Sequence, residues 1–262
     1  MTDHDPAPQN APAAAPAAAK PGGLGPRAGY LALGLSVVAL GLAAAPYFTG
    51  AGDVRGYLLK HPEVLQEASA ALQQKEAQAR VDEINQAAAA NAGLLAPDSR
   101  DPSFGPADAK VTVIEFFDFR CPGCKAVAHD YRALMAAHPE VRFVFKDWPI
   151  LDRGEDVTSQ YAARAALAAH QQGKYLEVYD ALMNARALSI ASIDQILAQH
   201  GVDMTRAKAA IAAPDTTRHI ADIHTTAAAL RLQGTPSFFV NGKASAGIDP
   251  AEIGRMIEAA KR

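Results

Sequence analysis

The stretch from residue 110 to residue 145 constrains this chain more than any other. It opens with "KVTVIEFF", residues 110–117, whose apolar side chains fall on both faces of an extended segment. Such a strand needs cover on both sides, which is the mark of a central position in a sheet. A helix is predicted from Pro122 to about Ala137, and "VRFVF", residues 141–145, reads as a second strand. Strand, helix and strand with short links form a parallel pair with a right-handed crossover. The chain is therefore expected to be an α/β protein.

The sheet then pauses. Residues 155–232 are alanine-rich and helical, punctuated by Gly173, Gly201 and Pro214, with Asp203 and Asp215 as expected N-caps. They predict four or five helices, an all-helical insertion at about 151–232. The sheet resumes at "PSFFV", residues 236–240, and Asn241-Gly242 is a hairpin turn because both residues accept positive φ. A last strand near Lys243–Ala246 leads to Asp249 as a cap and Pro250 in the first turn of a closing helix. The expected domain spans residues 95–262.

Ahead of it the chain changes character. Residues 1–27 are rich in Pro, Ala and Gly without hydrophobic period, the composition of a disordered tail. Residues 28–48, "AGYLALGLSVVALGLAAAPYF", carry no charge. As a helix they span about 30 Å, the thickness of a bilayer core. Lys20 and Arg27 precede them, so the positive-inside rule leaves the tail in the cytoplasm and sends the rest across. The expectation is a signal anchor in the inner membrane, single-pass, with the main domain in the periplasm. Cleavage near residues 45–51, giving a soluble periplasmic protein, is the alternative. Residues 53–92 read as a helical stalk in which Asp53 caps a first turn and Pro62 marks a helix start. Its apolar stripe runs Leu65, Ala68, Leu72, then, after a phase shift, Ala77, Val81, Ile84 and Ala88. A solvated spacer and a homo-oligomer formed through residues 57–90 both fit. The segment 91–109 is turn-rich and is expected to separate stalk from domain.

The chemistry centres on "CPGC", which holds the chain's two cysteines, Cys121 and Cys124. A cysteine just before a helix faces unpaired N–H groups and the positive end of the dipole, so its thiol pKa falls. Cys124, three residues on, lies one turn inward on the same face. That arrangement suits a reversible disulfide, in which Cys121 attacks or is attacked and Cys124 resolves the mixed disulfide. Glu115 stands in an otherwise apolar strand; partly desolvated there, it would hold a raised pKa and exchange a proton with the inner thiol. In "GTPSFFVNG", residues 234–242, a cis Thr235–Pro236 bond would expose the Thr235 backbone to an extended substrate.

No cofactor is expected, and no metal: a metal would need further ligands, and His129, five residues beyond Cys124, should point elsewhere. The net charge of −3 and the pI of about 6.2 argue against nucleic acid. Tyr131 and Trp148 read as core or groove wall, and Lys146 as a solvated strand end.

Cys-Pro-Gly-Cys at a strand–helix junction, a helical insertion and Thr-Pro opening a later strand together resemble the DsbA-like branch of the thioredoxin superfamily. The likeness covers roughly residues 105–262. With "VRGYLLKHPEVLQEASAALQQK" ahead of it, the chain is most similar to Com1/ScsC-type members, in which a helical segment precedes the catalytic domain. The resemblance implies a thioredoxin fold with an inserted helical domain, Cys121 as nucleophile, Cys124 as resolving thiol, Glu115 as buried acid, and Thr235 with cis-Pro236 at the substrate. The chain departs from the best-known oxidases in carrying Pro122-Gly123 where they have a histidine, which removes one positive charge beside the thiolate. The expected function is a thiol:disulfide oxidoreductase that forms or isomerises disulfides in exported proteins and is recharged by a membrane or periplasmic redox partner. A disulfide reductase for cytochrome or metal-site assembly and a non-enzymatic peptide or metal chaperone are the alternatives.

Overall fold

The computed structural model describes residues 36–40 and 54–262. By its contacts the chain forms two compact units, residues 1–68 and 69–262. The tail at 1–27 and Asp53 lie outside the described residues, as does the apolar run 28–48 except for 36–40, which are helical and exposed. Among the described residues no helix is long and apolar enough to cross a membrane. The first unit also contains α1 (Val54–Lys60), with Val54, Tyr57 and Leu59 exposed. Helix α2 runs from Glu63 to Ala90.

The second unit is built on a five-stranded sheet of order β1–β3–β2–β4–β5. Strands β2 (Thr112–Phe117) and β3 (Arg142–Asp147) are parallel, with Glu115 opposite Phe145. Helix α3 (Pro122–Ala137) connects them. Strand β4 (Ser237–Val240) pairs antiparallel with β2, and β5 (Lys243–Ala244) with β4. The tight turn between the last two has positive φ at Asn241 and Gly242, as the Asn-Gly pair predicts.

Strand β1 (Ser103–Phe104) pairs antiparallel with β3 and was not legible as a strand. Its two residues are too few to show alternation. Gly105 next to it has φ +91, and a Cβ there would lie 2.1 Å from the Val141 carbonyl oxygen, so only glycine lets the chain turn away.

Period-two alternation along β2 sorts the core into two layers. Val113 and Phe117 face α3, α9 (Pro250–Ala260) and the inserted helices. Ile114 and Phe116 face α8 (Pro214–Ala229), Trp148 and the C-terminal part of α2. The insertion consists of α4 (Thr158–His170), α5 (Tyr175–Asn184), α6 (Ile190–Gln199), α7 (Met204–Ala212) and α8. Asp203 caps α7 through the Arg206 amide, and Asp249 caps α9 through that of Ala251. Asp215 does not cap α8: Ala213 holds the N-cap position and Pro214 the first turn, which leaves Asp215 inside the helix.

Two further expectations are corrected. The segment 91–109 is not a boundary, because Val81, Ile84 and Ala88 of α2 pack into the second layer of the core. Asn85 Oδ1 accepts the Ala244 amide of edge strand β5 at 2.8 Å, and Glu83 pairs with Arg231 at 2.5 Å. The phase shift in the apolar stripe thus has a physical meaning. In its second run Ala88 is buried and Val81 and Ile84 pack on the core, whereas Leu65 and Leu72 of the first run stay exposed. Lys146 is not a solvated strand end either. It is buried in β3, its ammonium 2.5 Å from Asp101, which is also buried.

Candidate active site

The end of β2 and the start of α3 set the site. Asp118 fixes the connecting turn: its carboxylate accepts the amides of Arg120, Ile150 and Leu151 and the Ser159 hydroxyl, at 2.7–3.1 Å. The turn is thereby tied to the start of the helical insertion. Cys121 occupies the N-cap of α3, with Pro122 in the first turn, where its missing N–H costs no helical bond.

The two thiols sit in opposite environments. Cys121 is 8% exposed and its Sγ donates to the Thr235 carbonyl at 3.2 Å. The Cys124 thiol, followed by Thr235 and the amides of Cys124 and Gly123, hydrogen-bonds the Cys121 sulfur and lowers its pKa to about 5, against the opposing effect of burial. Cys124 is fully buried, and desolvation drives its thiol pKa far above the ordinary range, aided by Cys121 and by the Glu115 carboxylate. Both thiols are free.

Thr235–Pro236, the turn that opens β4, is cis. A Cβ on residue 123 would lie 3.3 Å from Pro236 Cδ and 3.7 Å from Cys121 Sγ, so Gly123 permits the close approach of the two segments. Cys121, Cys124, Thr235 and Pro236, drawn from motifs over a hundred residues apart, therefore form one cluster.

Beneath them is a buried compartment walled by Phe117, Phe145, Tyr131, Tyr175 and Tyr179. Glu115 lies there, fully buried, with Tyr179 donating to Oε2 at 3.5 Å. Among the described residues its Oε1 has no hydrogen-bond partner. Burial, then the Asp147 charge, raises its pKa well above the carboxylate range. Asp147 on β3 is a second buried acid, raised chiefly by burial and bonded by the Tyr175 hydroxyl at 3.0 Å. The sequence reading passed over it, because it is the last residue of β3 and follows Lys146, where a charge ordinarily meets water. Lys125 was also missed. Its ammonium donates to the carbonyls of Leu182, Met183 and Ala185 at 2.8–3.2 Å and so caps the C-terminal end of α5. Nothing in its sequence neighbourhood signals that.

His129 is exposed on α3, whereas both thiols are buried, and Tyr131 and Trp148 are core residues. Among the described residues no group of three or more His, Cys, Asp and Glu could hold a metal ion.

The thioredoxin family model matches residues 98–259. This chain belongs to the thioredoxin family. A second model, that of the copper resistance protein ScsC N-terminal domain, matches residues 54–79. The thioredoxin domain is similar to a thioredoxin-like oxidoreductase from Silicibacter pomeroyi DSS-3, at 37% identity and a TM-score of 0.58, over 63% of this chain and 94% of that one. ScsC from Proteus mirabilis, in a transitional conformation, matches at 25% identity and a TM-score of 0.60, over 83% of this chain and 97% of that one. Beyond that family, the chain is similar to ScsC over both its N-terminal helical segment and its thioredoxin domain. Among curated relatives, the Na(+)/H(+) antiporter NhaA 3 of Salinispora tropica is 34% identical over 145 residues, 55% of this chain. The chain spans only 22% of that antiporter's length.

Proposed function

We propose that this protein is a thiol–disulfide oxidoreductase that exchanges disulfides with exported polypeptides, with Cys121 bonding the substrate and Cys124 resolving the intermediate. The observation that carries this reading is the opposite environment of the two thiols, one acidified at the helix N-cap and one fully buried one turn deeper. In the oxidising direction a substrate thiolate attacks Cys121 Sγ and breaks the Cys121–Cys124 bond. The released Cys124 thiolate takes up a proton, for which the buried Glu115 carboxyl is the nearby store. A second substrate thiolate then attacks the substrate sulfur of the mixed disulfide and expels Cys121 as thiolate. The substrate loses two electrons and gains a disulfide, and the enzyme becomes a dithiol. Isomerisation begins instead from the reduced pair, with Cys121 attacking a wrong disulfide.

Because the leaving Cys121 thiolate is stabilised, the reduced enzyme is favoured and the disulfide is an oxidant. This offsets the missing histidine between the cysteines. The Thr235 carbonyl, in reach of Cys121 Sγ, offers an acceptor to an extended substrate backbone, with Pro236 beside it.

The reading includes a membrane anchor at residues 28–48 with the thioredoxin domain in the periplasm, supported by the uncharged run and the preceding Lys20 and Arg27. Recovery of the full chain in the soluble fraction of cells would refute the anchor. Self-association through the stalk rests on exposed Leu65 and Leu72. Light scattering that returned a monomer mass for residues 51–262 would remove it. The exchange activity is tested by the equilibrium redox potential of the Cys121–Cys124 pair in glutathione buffers. A potential more oxidising than that of glutathione supports disulfide donation, and one below about −270 mV makes the protein a reductant.

A further inference from the structure

Asp147 is a buried carboxyl to which the exchange chemistry gives no task. The register of β2 and β3 sets Glu115 opposite Phe145 and Phe117 opposite Asp147. The two acids are therefore diagonal neighbours on adjacent parallel strands and share the face toward α3 and the insertion. Strand spacing and rise put their Cα atoms about 8 Å apart. Tyr175 and Tyr179 of α5, with ring centroids 6.2 Å apart, donate one to each acid. Tyr175 reaches Asp147 at 3.0 Å and Tyr179 reaches Glu115 at 3.5 Å. Among the described residues, Asp147 Oδ1 and Glu115 Oε1 have no hydrogen-bond partner.

Two ammonium groups stand on neighbouring positions, and both are engaged elsewhere. Lys146 alternates to the other face of β3 and pairs with Asp101, which also meets His219. Lys125 turns to the carbonyls that end α5. The groups that face the pair are otherwise acidic or neutral. Asp118, in the turn after β2, spreads its charge over four donors. Cys124 and Tyr131 come from α3, and burial pushes the pKa of each up. His170, from α4, packs its ring against Tyr175, and burial pushes its pKa down. Two like charges so enclosed do not both persist near neutral pH, so the acids share a proton. The shorter tyrosine bond supports the charge on Asp147 and leaves the proton on Glu115.

We propose that Asp147 and Glu115 form one shared-proton pair, in which the Asp147 carboxylate keeps Glu115 loaded with the proton that Cys124 takes up. Asp147 is a positioning residue, since it acts on the thiol through Glu115. When a substrate thiolate attacks Cys121 Sγ, the Cys121–Cys124 bond breaks and its electron pair goes to Cys124. Glu115 protonates that sulfur and becomes a carboxylate. When the disulfide closes, Cys124 returns the proton to Glu115, bonds Cys121 Sγ and expels the substrate thiolate. The proposal rests on the oxidoreductase reading and gives its proton store a second member.

The test mixes the reduced full chain with excess dithiobis(nitrobenzoate) across a pH series. Attack by Cys121 releases a first coloured thionitrobenzoate, and Cys124 releases a second as it closes the disulfide. The second release reads proton transfer from Cys124 to Glu115, so its rate rises with pH through the ionisation of Glu115. Asp147→Asn keeps an acceptor for Tyr175 but removes the like charge, and should lower that midpoint by about one pH unit or more. Tyr175→Phe keeps the ring and withdraws the donor to Asp147. The shared proton then moves toward Asp147, and the midpoint should fall by less. Glu115→Gln should abolish the midpoint, and adding Asp147→Asn to it should change nothing further. The first release should keep its midpoint at about 5 throughout, because Asp147 makes no contribution to the Cys121 thiol. A second midpoint that stays or rises in these single variants of Asp147 and Tyr175, with the first intact, overturns the pair alone. A wild-type chain that gives no second release overturns the resolving role of Cys124, and the oxidoreductase reading with it.

Discussion

The mouth of the site and the floor beneath it hold the same functional group under opposite physics. At the mouth, Cys121 meets hydrogen-bond donors and a helix N-terminus, and its pKa drops to about 5. One turn deeper, Cys124 shares a compartment of aromatic rings with two buried carboxyls, and its ionisation is suppressed. Three residues of helix carry a sulfur across a dielectric boundary. The lesson is that the contrast between the two thiols comes from where β2 delivers the start of α3, since the residue type is identical.

The largest expected effect separates the thiols by substitution. Cys121→Ser should lower disulfide exchange on the order of a thousandfold, to the uncatalysed background. Cys124→Ser should instead accumulate mixed disulfides, seen as added mass on non-reducing gels and by mass spectrometry. If Cys121→Ser accumulates the adducts, the roles of mouth and floor are exchanged. Next in size is reactivity toward iodoacetamide in the reduced native protein. Carbamidomethylation of Cys121 should rise through pH about 5 and level off before neutrality, as the cited thiol shift requires. Peptide mapping should find Cys124 unlabelled until the chain unfolds. A midpoint near the free thiol value of about 8.5 would remove the electrostatic contrast.

Most of the mouth could be read from sequence because its signals are local. Cys-Pro-Gly-Cys, Pro122 at the first helical turn and Thr235-Pro236 each carry a conformational preference within a few residues. The floor was legible only in part. Glu115 stood out against an apolar strand, but Asp147 lies at a strand's end, where a charge ordinarily meets water. Its burial depends on Tyr175, 28 residues further on. The role of Lys125 needs the end of α5, and that of Asp118 needs residues 150–159, so both depend on tertiary packing. The stripe on α2 was recognised by its period. Its partner, the far face of the sheet, was not, because periodicity names a buried face without naming what covers it.

Mouth and floor should also respond to pH with opposite sign. The Cys121 pKa is depressed on folding, so its contribution to the reduced protein is complete above the unfolded value of about 8.5 and lost as pH falls through about 5. The Glu115 pKa is raised, so its contribution is complete below the unfolded value of about 4.3 and lost as pH rises through the folded value. Urea midpoints of the reduced protein between pH 5 and pH 8 read the sum. Glu115→Gln keeps the shape, removes the titration and relieves Asp147 of a like charge. Its midpoints should rise more steeply with pH than those of the wild type. A parallel pair of curves would mean that Glu115 is ionised in the folded as in the unfolded chain and that its pKa is not raised.

The smallest expected effect concerns the link between the regions. Lys125 follows Cys124 on α3, yet its ammonium reaches three carbonyls at the end of α5, the helix that carries Tyr175 and Tyr179. Those tyrosines are the donors to Asp147 and Glu115. Lys125→Met preserves the aliphatic stem and leaves the carbonyls without their charged donor. Water can reach a half-exposed helix end, so the loss should be about 2 kcal/mol rather than the sum of three charge-assisted bonds. Denaturant unfolding measures it. The pH midpoint for Cys121 labelling should stay near 5, because Lys125 does not contribute to the hydrogen bonds that acidify that thiol. A midpoint that moves with this substitution would show that the mouth depends on the packing of the floor, and that the two regions are electrostatically one.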